Sequence, residues 1–86
     1  MQNDIPINDY YKEGVIDFWT INNKGGWWTA IVLHKDPATD KRIVSIYRWQ
    51  RRKGEWKNAG CVRLKGNDQL SSAIRILGEI DLKISL

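Results

Sequence analysis

Acid–base and nucleophilic chemistry needs titratable groups that converge, and this 86-residue chain offers few. It holds one histidine, His34, and one cysteine, Cys61. His34 ends an apolar stretch, where a surface or packed imidazole is expected rather than a general base. Cys61 follows Gly60 with no histidine near it in sequence and reads as a packed thiol. Asp17, Asp36 and Asp40 would be the acids of a magnesium-dependent nuclease, but two of them share a turn-forming segment with lysines and Pro37. One cysteine and one histidine cannot make an internal disulfide or a zinc site within one chain. No metal, no cofactor and no enzymatic activity are therefore expected. Lys24-Gly25-Gly26 lacks the spacing and the lysine–hydroxyl pair that cradle a nucleotide phosphate, and reads as a turn.

Binding chemistry is better supplied. Residues 47–57 interleave flat rings with permanent cations: Tyr47, Arg48, Trp49, Arg51, Arg52, Lys53, Trp56 and Lys57. The formal net charge of +4 hides a strong asymmetry. Residues 41–65 carry nine cations against Glu55 alone, a net of +8, whereas the remainder nets −4. Such a concentration of charge attracts polyanions, nucleic acid first. Single strands are held by rings that stack on exposed bases and by cations that follow the phosphates, at about 1–3 kcal/mol per stacked base. Five tryptophans, Trp19, Trp27, Trp28, Trp49 and Trp56, crowd the core of so small a domain, so some are expected outside. Trp56, in phase with Val62 and Leu64, is the one assigned to the core. Arginine both pairs with phosphate and stacks on bases, which makes Arg48, Arg51, Arg52 and Arg63 candidates, with Lys53, Lys57 and Lys65 as point charges. Trp19, Trp27, Trp28 and Trp49 complete the candidate nucleic-acid-binding set.

Positioning these residues falls to strands. Residues 1–12 are polar and acidic, without a period, and read as a flexible N-terminal arm; residues 13–86 form a single domain. Tyr10 and Tyr11 can dock on that domain, although a frayed terminus is the expectation. Residues 14–22 are rich in β-branched and aromatic side chains and read as a strand, followed by a turn at residues 22–26. The second strand, residues 27–34, sets Trp27, Thr29, Ile31 and Leu33 against Trp28, Ala30, Val32 and His34, apolar on both faces. A polar connection over residues 35–41 leads to the third strand, residues 42–49, where Arg48 and Trp49 fall on opposite faces. A cationic loop over residues 50–54 joins a fourth strand, residues 55–64. There Trp56, Gly60, Val62 and Leu64 oppose Lys57, Ala59, Cys61 and Arg63, with the second set read as the open face.

The period then changes. Leu70, Ala73, Ile74 and Leu77 recur at helical spacing, with Asn67 or Asp68 as cap, Gly78 as the end and the sheet as the expected packing partner. Ile76 and Ile80 flank that stripe, and residues 82–86 alternate as a short extra strand or a dimer contact would. The fold class is α+β: a four-stranded antiparallel sheet followed by a C-terminal helix, ββββα. A domain this small gains from pairing, so a homodimer through the helix and tail is expected. There is no long apolar run for a membrane and no secretory leader at the start, so an intracellular location is expected.

Over residues 14–80 the chain resembles the single-strand-binding domain of the positive cofactor four type of transcriptional coactivator, the whirly-like group. Ile46-Tyr47-Arg48-Trp49 is similar to that family's third-strand pattern, and Gly60-Cys61-Val62-Arg63-Leu64 to the run before its helix. The resemblance implies a helix-paired dimer that binds single-stranded DNA on its β-surfaces, with Arg48 and, by position, Trp49 in contact. Trp49 follows Arg48 sooner than in the family, and Lys65-Gly66 stands where a capping residue and proline are usual. A duplex-binding chromatin-type protein and a protein–protein adaptor are the competing expectations.

Overall fold

The structure, a computed structural model, describes residues 5–84. Its elements are α1 (Asp9–Lys12), β1 (Val15–Lys24), β2 (Trp27–Lys35), β3 (Arg42–Arg52), β4 (Glu55–Lys65) and α2 (Gly66–Ile84). The four strands form one antiparallel sheet in the order β1-β2-β3-β4, and the C-terminal helix follows. The expected α+β architecture is therefore the observed one. No helix among the described residues is long and apolar enough to cross a membrane.

Residues directly opposite each other on adjacent strands point to the same side of a sheet, so the register sorts every side chain. One face carries Phe18, Val32, Ser45 and Arg63 in one row, and Thr20, Ala30, Tyr47 and Cys61 in the next. A third row holds Asn23, Trp28, Trp49 and Asn58. This face is the core face. Ile5 and Ile7, both buried, cluster on it with Ala30, Val32, Tyr47 and Trp49, and Tyr11, Val15, Phe18, Trp28 and Trp56 pack around them. Thus the stretch read as a flexible arm is, from Ile5 onward, the lid of the core; residues 1–4 lie outside the described residues. The polar, acidic composition concealed two isoleucines spaced to point the same way. Asn8 starts α1 by accepting the Tyr10 backbone N–H on its side-chain oxygen at 2.6 Å, which turns the chain so that Tyr11 reaches the sheet.

Three irregularities shift phases that simple alternation misses, two on β1, between Val15 and Asp17 and between Thr20 and Asn22, and one on β4. On β4 the register jumps between Arg48↔Gly60 and Trp49↔Asn58, leaving Ala59 as an extra residue. This bulge puts Trp56 on the same face as Cys61 and Arg63, out of phase with Val62 and Leu64. The reading of β4 is corrected accordingly: Arg63 lies on the core face, half-buried, and Val62 on the other, exposed. Trp56 still packs against the core, but from the opposite phase. The second correction concerns the cationic loop. The β3 and β4 strands continue to Arg52 and Glu55, joined only by Lys53 and Gly54 at φ 51° and 81°. That two-residue turn needs positive φ at both positions, a conformation glycine takes without penalty.

The helix also departs from expectation. Gly66, at φ 84°, turns the chain out of β4, and α2 runs on through Gly78 and into the tail to Ile84. The tail is thus helical rather than a fifth strand, and residues 85–86 lie outside the described residues. Leu70 and Ala73 are half-buried where α2 meets β3 and β4, whereas Ile74 is 63% and Leu77 58% exposed. The stripe expected to pack on the sheet does so only in its first two turns.

Under the lid lies a buried polar chain. Arg63 Nη1 donates to Ser45 Oγ and to Tyr47 Oη, both at 3.0 Å, and Ser45 Oγ lies 2.7 Å from His34 Nε2. The Lys35 carbonyl, 3.4 Å from His34 Nδ1, can only accept, so the neutral imidazole carries its proton on Nδ1 and the Ser45 hydroxyl donates to Nε2. Burial holds the His34 pKa below its ordinary value of 6.5. The unfolded chain therefore takes up this proton at higher pH than the folded one. Stability is full above 6.5 and declines as the pH falls from there toward the folded-state pKa. Thermal melts between about pH 7.5 and 5.5 are expected to show that decline, and a His34→Gln variant to lose most of it. Trp49→Ala is expected to cost about 3–5 kcal/mol by denaturant titration, a large share of the stability of a domain this size.

Candidate nucleic-acid interface

The face opposite the core is graded from charged to apolar. Its last row to cross all four strands, at the end bearing the β1–β2 and β3–β4 turns, reads Lys24, Trp27, Gln50, Lys57, with Arg52 and Glu55 opposite each other beyond it. The next reads Asn22, Thr29, Arg48, Gly60. The third is apolar, with Trp19, Ile31, Ile46 and Val62, and the fourth holds Asp17, Leu33, Val44 and Leu64. Gly60 leaves the Arg48 row open on the β4 side, since it presents no side chain there.

How the cations are held decides what they can do. The Arg48 guanidinium carbon sits 4.0 Å from the centroid of the Trp27 ring. A cation over an indole face is attracted by the ring quadrupole and keeps its charge for another partner. Arg52 is steadied by Gln50, its Nε donating to Oε1 at 3.1 Å. Arg48, Arg51 and Arg52 are absent from the ion pairs seen among the described residues, which include Lys35–Asp40, Lys57–Glu55 and Arg75–Glu79. The strip is therefore positive and uncompensated, except at Lys57, which meets Glu55 at 3.0 Å while both stay exposed. Exposed pairs of that kind are weak and yield to a phosphate.

The expected site residues divide by face. Trp19, Trp27, Arg48, Arg52 and Lys57 come together on the outer face. Lys53 stands at the turn between the strands. Arg51 lies on the core face at the same end, 5.6 Å from the centroid of Trp56, so the turn carries cation–indole pairs on both sides. Lys65 is at the opposite end of β4, exposed, its backbone N–H taken by Gln69 Oε1 at 2.9 Å. Three candidates belong to the core instead. Trp49 is 0% exposed, stacked on Tyr47 with ring centroids 5.3 Å apart and planes 8° apart. Trp28 lies 4.8 Å from Trp49 and 5.5 Å from Trp56, and its Nε1 donates to Thr20 Oγ1 at 3.1 Å. Arg63 is engaged with Ser45, Tyr47 and the face of Tyr11 at 4.2 Å. Its hydrogen bond to Tyr47 and the charge around it raise its pKa although burial works the other way. Burial in turn raises the Tyr47 pKa, with Arg63 opposing.

Two residues were missed in the sequence. The sequence pattern puts Lys24 in the first turn and Gln50 in the second, whereas both are strand residues, Lys24 ending β1 and Gln50 two residues short of the end of β3. The signal was the tight pairing of two glycines after Lys24, which puts that lysine opposite Trp27. Among the described residues no group of three or more His, Cys, Asp or Glu side chains is placed to hold a metal ion. Comparison of the chain with protein-family models, with curated proteins and with solved structures returns no match.

Because Arg63 ties the lid to the sheet, Arg63→Ala is expected to lower stability by about 1–3 kcal/mol through the unpaired hydroxyls it leaves. Arg48→Ala is expected to change stability by less than about 0.5 kcal/mol, since it loses only an exposed contact. Parallel urea titrations of the two variants check both.

Proposed function

We propose that this protein is a sequence-tolerant binder of single-stranded nucleic acid, DNA or RNA, that works as a homodimer. One observation carries the reading. Arg48 and Arg52 are held on the outer face by an indole ring and an amide rather than by carboxylates, on either side of the row of Lys24, Trp27, Gln50 and Lys57 that crosses all four strands. Cations left uncompensated in fixed positions suit phosphates, and Trp27 beside them suits a base. With strands about 4.8 Å apart, the row is about 14 Å long, room for a short run of an extended strand. Trp19, 53% exposed in the apolar row behind it, adds a second ring. Such contacts read backbone and stacking rather than base edges, hence the tolerance of sequence.

The likeness of Ile46-Tyr47-Arg48-Trp49 to the coactivator strand supports Arg48 and not Trp49, whose ring is enclosed. A homodimer is supported by the apolar surface that α2 leaves exposed.

Binding of a fluorescein-labelled oligonucleotide, followed at several salt concentrations, tests the reading. The affinity of the wild-type chain is expected to fall linearly in log–log form, with a slope of about −0.7 per phosphate engaged. Arg48→Ala and Arg52→Ala are each expected to reduce the steepness and to weaken binding to all sequences alike. Trp27→Ala is expected to cost about 1–3 kcal/mol without changing the slope. Tighter binding of a duplex of the same sequence would replace the single strand by the chromatin-type alternative, and the absence of any salt-dependent binding would replace nucleic acid by a protein partner.

A further inference from the structure

Glycine inside a strand weakens it, since it has no side chain to pack and loses the most backbone freedom on folding. Gly60 stands inside β4, and the fold itself does not require it. Positive φ belongs to Gly25, Gly26, Gly54 and Gly66 and not to Gly60, so a residue with a side chain fits its backbone. Among the described residues nothing beyond its chain neighbours lies within 4 Å of the place a Cβ would take, so no packed group claims the space. The adjoining bulge does not need a glycine either. The Gly60 N–H donates to Asn58 Oδ1 at 2.8 Å, a bond open to any residue except proline. The side chains around Gly60 also lean away from it. Gly60 lies opposite Arg48 on the outer face, and the Arg48 guanidinium reaches the other way, over Trp27 at 4.0 Å. Lys57 Nζ turns to Glu55 at 3.0 Å, and Gln50 Oε1 accepts from Arg52 Nε at 3.1 Å, both toward the β3–β4 turn. A bare stretch of backbone is left at the edge of the sheet, bounded on its other side by the exposed Val62.

We infer that Gly60 is the seat of a nucleobase, which lies on the exposed backbone of β4 against Val62 while Arg48 and Lys57 hold the phosphates beside it. This seat rests on the single-strand reading above and names one base position within it. A glycine in a strand marks a place where a ligand comes close to the backbone. The chemistry of the place selects the base over the phosphate. Its floor is peptide and its wall is a valine side chain, neither of them charged, whereas Arg48 stands one strand away and Lys57 one row away. Every base has an apolar face that can lie on such a surface, so the seat agrees with tolerance of sequence. Since β4 is an edge strand, the base enters from the side without crossing the sheet. Trp27, two strands away at about 10 Å, is the second platform, and Arg48 stands on the strand between them. A nucleic-acid strand crossing from β4 to β2 thus meets a base seat, a cation and a ring in turn.

Gly60→Val fills the seat with a side chain that suits a strand, and Gly60→Ala fills it in part. Thermal melts of both variants are expected to match or exceed that of the wild-type chain, since a Cβ there meets nothing. Binding is then measured with two probes of equal length, a labelled oligothymidylate and an abasic sugar–phosphate chain, at several salt concentrations. Gly60→Val is expected to weaken oligothymidylate binding at least about fivefold, with the salt slope and the affinity for the abasic chain unchanged. Gly60→Ala is expected to show a smaller loss of the same kind. Unaltered oligothymidylate binding by the folded Gly60→Val variant would overturn the base seat and leave the nucleic-acid reading in place. An equal loss on the abasic chain would put the sugar–phosphate backbone over Gly60 and overturn the base. A wild-type chain that binds neither probe would overturn the reading on which the seat rests.

Discussion

Everything else in this molecule depends on the burial of Trp49 between Tyr47 and Trp28, beneath a lid made by Ile5 and Ile7. An 86-residue chain has little apolar surface to hide, and one stacked pair of large rings on a central strand supplies a disproportionate part of it. Once Trp49 faces inward, the two-residue period of β3 leaves no choice for its neighbours. Arg48, Gln50 and Arg52 must face outward, and Ser45 must face in. The phase of one ring thus separates the enclosed aromatic face from the open cationic one.

Facing Ser45 inward creates a burden that the structure meets with Arg63 and His34. A buried hydroxyl without partners is costly, and here it is both donor and acceptor. The same arginine covers Tyr47 Oη and the face of Tyr11, so the lid is fastened by polar contacts at one end of the sheet and by isoleucine packing elsewhere. Among the described residues one buried side-chain polar atom stays without a partner, the Trp49 Nε1. Its ring stacking and full enclosure evidently outweigh that cost. The contrast between the two faces is therefore sharp: one is enclosed, aromatic and internally hydrogen-bonded, the other open, with cations at one end and aliphatic side chains at the other.

That open face gives the functional reading its shape. Cations tied up by carboxylates would be a solvated surface and little more. Arg48 resting on Trp27 and Arg52 steadied by Gln50 are positioned yet uncompensated, at the end of the sheet farthest from where α2 departs.

The amino-acid sequence by itself determined the strand order, the closing helix and the alternation within β2 and β3, because β-branched and aromatic runs between turn residues have few other solutions. It placed Arg48 and Trp49 on opposite faces for the same reason. Several features were decided only in three dimensions. The extra residue at Ala59 reversed the faces of Trp56 and Arg63, since a bulge depends on the partner strand and leaves no mark in one strand's pattern. Ile5 and Ile7 became core because the sheet offered them a face, which their polar surroundings could not reveal. Gly78 stayed within α2, since a glycine's tolerance of positive φ permits a helix end without requiring one. Above all, helical spacing showed that α2 has an apolar stripe, and only the tertiary structure showed that its own sheet covers just the beginning of it.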